Sequence, residues 1–308
     1  ITWYGYVKDS VGNVNKCNSG KFKVDISKPE CTVTRTGITG NNGWYKESAV
    51  TLTLNPTDNL SGIQQTGLST SSNPSLGNKT SDTQRDIASV TWYGKVKDNA
   101  GNVSKVCNSG EFKVDTTKPT CSVSFSGTSG NNGWYKSNAT VSLTKNDNLS
   151  NVEAFGLSTS TSATYNSSSS STQTNTAGQR WNGYVRDYAG NINSCNNSVK
   201  VDTSKPYCTV TLSGTSGSNG WYKSGNVTVT LNASDNGDSG VAKTGLGKTS
   251  SPSLGSTTSA SQGNTTGVTY YGKVEDAAGN VSDVCNSGSF KVDKSNPSCS
   301  ISVSTSGI

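Results

Sequence analysis

A long internal repeat runs through this sequence. Counted from one cysteine to the equivalent cysteine of the next copy, whole units span residues 31–120, 121–207 and 208–298, which we call repeats 1, 2 and 3. Residues 1–30 match the end of a unit, and residues 299–308 match its beginning. Self-similarity at a fixed period is the signature of tandem domains. We therefore predict three domains in series, preceded by the closing hairpin and linker of one domain and followed by the first strand of another.

Short alternating segments within each unit indicate β-strands. Apolar and polar residues alternate in VTLTL from Val50, TVSLT from Thr140 and VTVTL from Val227, each after a GWYK tetrapeptide. A period of two is typical of half-buried strands. The composition agrees, since hydrophobic residues make up only 30% of a chain that contains 34 glycines. The pattern predicts an all-β fold in which each unit is a two-sheet sandwich.

Each unit ends in two predicted strands around a D-x-x-G-N turn. The strands Trp92–Asp98 and Gly110–Asp115 flank one copy and are predicted to form a β-hairpin, because Asp can accept bonds from the following backbone and Gly adopts positive φ. This favours a structural role for the turn over a binding role. The turns begin at Asp9, Asp98, Asp187 and Asp276.

One face of the penultimate strand combines large and small residues. Period two places Trp92, Gly94 and Val96 on the same face, so the glycine leaves space there. We predict that the GWYK tryptophan of the same unit fills this space. The alternative is that these tryptophans are surface aromatics that stack on sugars. The residues concerned are Trp44, Trp134 and Trp221.

The linkers carry a family resemblance. Every unit closes on V-D-x-x-x-P, as in Val114–Pro119, which predicts a short, semi-rigid joint because proline cannot continue a strand ladder. Together with D-x-x-G-N, this motif resembles the bacterial immunoglobulin-like repeats of large surface adhesins and extracellular fibre proteins, over essentially the whole chain. The resemblance implies tandem immunoglobulin-like β-sandwich domains, arranged as an elongated array, that serve as extracellular or cell-surface spacers. The regular cysteines depart from it, because many such repeats lack them.

The cysteines are expected to form one disulfide in each repeat. In an immunoglobulin-like sandwich, the loop before the last strand lies at the same end as the start of the first strand. The expected pairs are Cys31–Cys107, Cys121–Cys195 and Cys208–Cys285, with Cys17 and Cys299 left over. Regular disulfides indicate an oxidising, extracytoplasmic compartment. A zinc site of four thiolates is the competing interpretation, but no C-x-x-C spacing occurs.

Calcium is the one cofactor that the sequence raises. The linker aspartates Asp115, Asp202 and Asp293 are candidate oxygen ligands, and the D-x-x-G-N aspartates could face a neighbouring linker. The sequence shows no recognisable cluster of three or more carboxylates. Structural roles in turns are therefore favoured, and no metal site or other cofactor is predicted.

The sequence lacks the residues and motifs on which most catalytic sites depend. The chain has no histidine and no glycine-rich phosphate loop, and its net charge of +6 is spread along the length, which argues against an enzyme and against nucleic-acid binding. No segment predicts membrane insertion. We predict a non-enzymatic spacer whose partners are neighbouring domains of the same longer chain, with identical chains in a fibre as further candidates. The alternatives are an array that binds host glycan or protein, and phage or virion decoration domains.

Overall fold

The computed structural model of the protein describes residues 1–304. All regular secondary structure in this range is β, in twenty-five strands, and it includes no helix that could span a membrane. The predicted all-β class is confirmed. The chain forms two compact units, which consist of Ile1–Cys121, Lys145–Phe155 and Tyr184–Ser194, and of Ser122–Thr144, Gly156–Gly183 and the chain from Cys195 onward.

The first fragment is a hairpin. Its strands β1 (Tyr4–Lys8) and β2 (Val14–Asn18) pair antiparallel across the first D-x-x-G-N turn. Asp9 Oδ1 accepts a 2.8 Å hydrogen bond from the amide of Asn13, and Gly12 has a φ of 101°. Only glycine adopts such a φ readily, so the turn chemistry explains the pairing of β1 with β2.

Repeat 1 consists of two β-sheets around one core. The first sheet has the order β3-β4-β10-β7, with β6 also paired to β4, and the second has the order β5-β8-β9. Val50, Leu52 and Leu54 of the first sheet share an apolar cluster with Leu68 and Val96 of the second. The strands are β3 (Glu30–Thr39), β4 (Trp44–Thr57), β5 (Ile63–Ser69), β6 (Ser81–Gln84), β7 (Ile87–Val90), β8 (Tyr93–Asp98), β9 (Cys107–Asn108) and β10 (Phe112–Asp115).

Repeat 2 also divides its strands between two sheets. The orders are β11-β13-β15 and β12-β17-β16-β14. The pairing of β12 with β17 is parallel, whereas β13 and β15 pair antiparallel. The strands are β11 (Thr120–Ser126), β12 (Trp134–Tyr135), β13 (Ala139–Asn146), β14 (Val152–Ser158), β15 (Ser170–Gln173), β16 (Thr176–Asp187) and β17 (Ile192–Val201).

Repeat 3 has the same topology as repeat 1. Its sheets have the orders β18-β19-β25-β22, with β21 on β19, and β20-β23-β24. The strands are β18 (Tyr207–Ser216), β19 (Trp221–Ser234), β20 (Val241–Gly247), β21 (Ser259–Gln262), β22 (Thr265–Val268), β23 (Tyr271–Asp276), β24 (Cys285–Asn286) and β25 (Phe290–Val292). The chain is thus a tandem array of immunoglobulin-like β-sandwiches, as predicted.

The last strand of repeat 1 does not form the predicted hairpin. β8 pairs antiparallel with β9 at only two positions, while β10 joins the other sheet, parallel to β4. The prediction that Trp92–Asp98 pairs with Gly110–Asp115 is therefore wrong. Gly110, at a φ of 70°, turns the chain between the sheets. The crossing is favourable because it buries Phe112 and Val114 in the core.

The space beside Gly94 is not filled by Trp44. A Cβ added to Gly94 would lie 2.4 Å from Leu54 Cδ1, 2.8 Å from Cys107 Sγ and 3.0 Å from Val33 Cγ2. The sequence prediction on this point is wrong, because a disulfide sulfur and aliphatic side chains of the facing strands occupy the volume. The residue types at Gly183 and Gly272 are the same, a Leu, a Cys and a Val in each case.

The strand predicted for residues 299–308 is not formed over its described part. Residues 299–304 have no regular structure, and residues 305–308 lie outside the described range. A strand needs a partner for its backbone N–H and C=O groups, and no described strand pairs with this segment.

Candidate cation sites at the joints between repeats

Three aspartate triads lie in the described part of the chain, one at the start of each whole repeat. In each triad, one carboxylate oxygen from every residue lies within 4.8 Å of those of the other two. The prediction that no such cluster exists is wrong, because the members are far apart in sequence. We call the triads joint 1 (Asp25, Asp58, Asp98), joint 2 (Asp115, Asp147, Asp187) and joint 3 (Asp202, Asp235, Asp276).

The first member comes from the V-D-x-x-x-P linker. Asp115 ends β10 and is fully buried. Its Oδ1 accepts a 3.0 Å hydrogen bond from the amide of Thr117, and its Oδ2 accepts one of 3.1 Å from the amide of Ser150. The side chain therefore fixes the linker and also contacts a loop of repeat 2. Asp25 and Asp202 make the same pair of bonds.

The second member comes from the loop that follows the long alternating strand. Asp147 comes directly after β13, and its Oδ2 accepts hydrogen bonds from the amides of Leu149, at 3.2 Å, and Asn151, at 2.7 Å. This bonding closes the turn. The residue is only 8% exposed, and its Oδ1 is buried with no hydrogen-bond partner among the described residues.

The third member opens the D-x-x-G-N turn. Asp187 is fully buried, and its Oδ1 and Oδ2 accept hydrogen bonds of 2.8 and 2.9 Å from the amide and the side chain of Asn191. Burial raises the pKa of Asp187 above its ordinary value of 3.8, and the neighbouring charges of Asp115 and Asp147 raise it further, against the lowering effect of the Asn191 bonds. Ionisation of Asp187 is therefore less favourable in the folded chain than in a free aspartate.

Buried oxygens without partners occur at every joint. They are Asp58 Oδ1 at joint 1, Asp147 Oδ1 at joint 2 and Ser239 Oγ at joint 3. A buried polar atom without a hydrogen bond is unfavourable, and one that faces other carboxylates is more so. The oxygens of Asp58 and Asp147 can only accept when ionised, so a cation would satisfy them.

The donor set fits calcium. Calcium binds six to eight oxygens at about 2.3–2.6 Å, so ligand atoms up to roughly 5 Å apart can share one ion. Magnesium demands a near-ideal octahedron at about 2.0–2.1 Å, which brings its ligands closer together. The triads offer only oxygen and a formal charge of −3 when ionised. This is the chemistry of a hard divalent cation.

The linker candidates do not behave alike. Asp115 belongs to joint 2 and Asp202 to joint 3. Asp293 is exposed, and its Oδ1 accepts a 2.9 Å hydrogen bond from the amide of Ser295. It belongs to no carboxylate triad of residues 1–304. The sequence-based prediction did not include Asp58, Asp147 and Asp235 among the candidate ligands. An Asp-Asn pair at the same place in every repeat is the signal that could have identified them.

The structure contains disulfides in the sandwiches. Cys31 of β3 is bonded to Cys107 of β9, and Cys208 of β18 to Cys285 of β24, with Cα atoms 5.9 Å apart in both pairs. Cys121 and Cys195 are also disulfide-bonded. Cys17 and Cys299 are free and exposed. In repeat 1 the bond links β3 to β9, which pairs with β8. In repeat 3 it links β18 to β24, which pairs with β23.

The GWYK tryptophans are covered by protein. Trp44 is 9% exposed and Trp134 8%, while Trp221 is half-buried. A lysine of the last strand lies over each ring, with Nζ-to-centroid distances of 5.5 Å for Lys113, 5.4 Å for Lys200 and 5.6 Å for Lys291. Stacking on a sugar requires an accessible ring face. The geometry therefore favours a packing role over sugar stacking for Trp44 and Trp134.

Among known proteins, similarity was found only to solved structures. No protein-family model matches the sequence, and no curated protein does. One similar structure holds three N-terminal domains of the outer capsid protein Hoc of bacteriophage RB49, at 11% identity and a TM-score of 0.34, covering 87% of this chain and 99% of that one. Another is a tetra-tandem repeat from the extending region of a large adhesion protein, at 15% identity and a TM-score of 0.31, covering 96% and 81%. Likenesses this weak assign no function to the chain.

Proposed function

We propose that this chain is a non-enzymatic, extracellular spacer whose joints between sandwiches are fixed by calcium. Repeats 1 and 3 share one topology, and repeat 2 also divides its strands between two sheets, so the chain is a series of like sandwiches, which suits a load-bearing segment. The disulfides support an oxidising location outside the cytoplasm. The best candidate partners of each sandwich are the neighbouring sandwiches of the same chain.

The observation that carries the calcium proposal is the state of Asp147. Its Oδ1 is buried without a hydrogen-bond partner among the described residues, and one oxygen of the same carboxylate lies within 4.8 Å of oxygens of Asp115 and Asp187. Three carboxylates in a buried cluster repel one another, and a divalent cation would remove both the repulsion and the missing contact. Since Asp115 belongs to the linker of repeat 1, and the other two to repeat 2, the same ion would hold adjoining repeats together.

The disulfides support the mechanical part of the proposal. In repeat 1 the linkage joins β3, where the chain enters the sandwich, to β9, which precedes the last strand. A covalent link at this place limits how far the sandwich can extend under tension. Each disulfide in repeats 1 and 3 spans 76 or 77 residues, and closing so long a loop stabilises the folded state by about 4 kcal/mol in chain-entropy theory.

The test is calorimetric titration of the metal-free chain with CaCl₂, with MgCl₂ as the comparison, followed by thermal unfolding with and without the ion. We expect calcium to bind at the joints and to raise the unfolding midpoint as mass action requires, by an amount that grows with its concentration. Magnesium should give a smaller effect at equal concentration. An unchanged midpoint together with no heat of binding up to millimolar CaCl₂ would rule the proposal out.

A further inference from the structure

In each whole repeat, the asparagine that ends the D-x-x-G-N turn donates hydrogen bonds to two parts of a joint. Asn191 Nδ2 lies 2.9 Å from Asp187 Oδ2 in its own turn, and 3.0 Å from the carbonyl oxygen of Asp115 in the linker of repeat 1. The carbonyl oxygen of Thr117 lies 3.1 Å away. A primary amide carries two hydrogens, so it alone among short neutral side chains can donate to both sides at once. Asn191 therefore connects the ligand of one repeat to the backbone of another.

The same bridge is present at the other two joints. Asn102 Nδ2 lies 2.7 Å from Asp98 Oδ2 and 3.2 Å from the carbonyl oxygen of Asp25. At joint 3, Asn280 Nδ2 lies 2.8 Å from Asp276 Oδ2 and 3.0 Å from the carbonyl oxygen of Asp202. In the first fragment, Asn13 occupies the same place in its turn and donates 2.8 Å to Asp9 Oδ2.

At joint 2 the amide oxygen makes a further contact. Asn191 Oδ1 accepts a 3.2 Å hydrogen bond from the amide of Glu47 in repeat 1. Glu47 has a φ of 65°, in the left-handed region that a non-glycine residue seldom occupies. Asn191 itself is only 1% exposed. Every polar atom of its side chain is engaged, and most of its bonds go to repeat 1.

We propose that Asn191, with Asn102 and Asn280 at the equivalent places, is a positioning residue that sets the separation of cation ligands supplied by two repeats. The inference rests on the calcium function proposed above. Asp115 and Asp187 repel each other when no ion is present, and the amide holds both close despite that repulsion. Folding then supplies part of the free energy needed to bring the ligands together before the cation binds, and this preorganisation raises the affinity of the site for the cation. Asn191 does not itself touch the cation.

The test isolates joint 2 in the full chain. In a background of Asp58→Asn and Asp235→Asn, which removes one ligand from each other joint, CaCl₂ is titrated into the parent and into Asn191→Ser. We expect the serine variant to bind at least about tenfold more weakly, because loss of an outer-sphere partner typically lowers metal affinity by 10–100-fold. The matched control is Asn13→Ser, which removes the same residue from a turn outside any joint and should leave affinity unchanged.

A second readout separates positioning from general loss of structure. With Tb³⁺ as the probe, luminescence lifetimes in H₂O and D₂O count the water molecules bound to the ion, and we expect the same count in the parent and in Asn191→Ser. Equal calcium affinities in the two would overturn the inference while leaving the calcium function intact, whereas a parent that binds no calcium would overturn the calcium function itself. If Asn191→Ser does not fold, Asn280→Ser in a background that retains joint 3 gives the same comparison.

Discussion

Asn42 Nδ2 donates a 3.1 Å hydrogen bond to the carbonyl oxygen of Tyr188, which joins a turn of repeat 1 to the D-x-x-G-N turn of repeat 2. The neighbouring amide of Asn41 donates to the carbonyl oxygen of Ala189 at 3.0 Å. At the next joint, Asn132 and Asn131 make the same two bonds, to Ala277 and Ala278. Joints 2 and 3 therefore have a direct turn-to-turn contact besides their aspartate triads.

This contact predicts a large effect of Gly40→Ala. A Cβ at Gly40 would lie 2.1 Å from the carbonyl oxygen of Ala189, which is backbone and cannot move aside without breaking the contact. We expect the variant to keep its sandwiches and to loosen the joint, seen as faster independent tumbling of repeats 1 and 2 in NMR relaxation. Gly77→Ala is the control, since no atom lies within 4 Å of its added Cβ. Identical relaxation in both variants would contradict the prediction.

Asp147→Asn should separate the turn role of this residue from its ligand role. The amide oxygen can still accept from Leu149 and Asn151, while the amide nitrogen takes the position of the unpaired Oδ1 and can donate to the neighbouring carboxylates. We expect the metal-free variant to match or exceed the stability of the parent, because a buried unpaired group is removed. The gain in free energy of unfolding should not exceed about 1–3 kcal/mol. Calcium should no longer stabilise joint 2. Denaturant unfolding with and without CaCl₂ measures both effects, and a variant as responsive to calcium as the parent would contradict the assignment.

The pKa of Asp187 gives a pH prediction with a definite sign. Because its pKa is raised in the folded state, the folded chain binds a proton more tightly than the unfolded chain does. In metal-free buffer, the contribution of Asp187 to the free energy of unfolding therefore falls as pH rises above 3.8 and levels off above the folded pKa. We expect Asp187→Asn to lose this dependence, so that its stability relative to the parent improves over the same window. A difference between the two chains that stays constant with pH would refute the prediction.

The disulfide of repeat 1 packs against the core of the sandwich and is expected to contribute strongly to stability. Replacing Cys31 and Cys107 together by Ser opens a loop of 76 residues and should lower the free energy of unfolding by about 4 kcal/mol on entropic grounds. Cys17→Ser, at a free and exposed thiol, should have no measurable effect. Guanidinium unfolding of the three chains provides the comparison. Equal midpoints for the double variant and the parent would show that this bond does not support the sandwich.

Gly94→Ala adds one methyl group to the core of repeat 1 and tests how tightly that core is packed. The added methyl would lie 2.4 Å from Leu54 Cδ1 and 2.8 Å from Cys107 Sγ, with the disulfide limiting how far the neighbours can move. Overpacking of this kind costs about 1–3 kcal/mol. Thermal unfolding should show the loss in Gly94→Ala and almost none in Gly77→Ala. A stable Gly94→Ala would mean that the sandwich relaxes here more easily than its packing indicates.

Local sequence patterns determined the strands and turns of this protein. Period-two alternation and the D-x-x-G-N motif depend on residues a few positions apart, so the all-β class and the turn at Asp9 could be predicted from the sequence alone. The inward face of the penultimate strand follows from the same alternation, and its three positions are buried. The repeat itself required no structure, since it is visible as self-similarity.

Only the tertiary structure decided what these strands and turns assemble into. The crossing of β10 to the other sheet depends on which core the apolar residues Phe112 and Val114 can enter, and no local pattern records that choice. The joint 2 triad draws Asp115, Asp147 and Asp187 from a linker, a loop and a turn that are widely separated in sequence. Each of these aspartates has a sufficient local reason to be where it is, as a hydrogen-bond acceptor in its own turn. Their shared role arises only where folding buries all three together, because electrostatic coupling depends on distance in space.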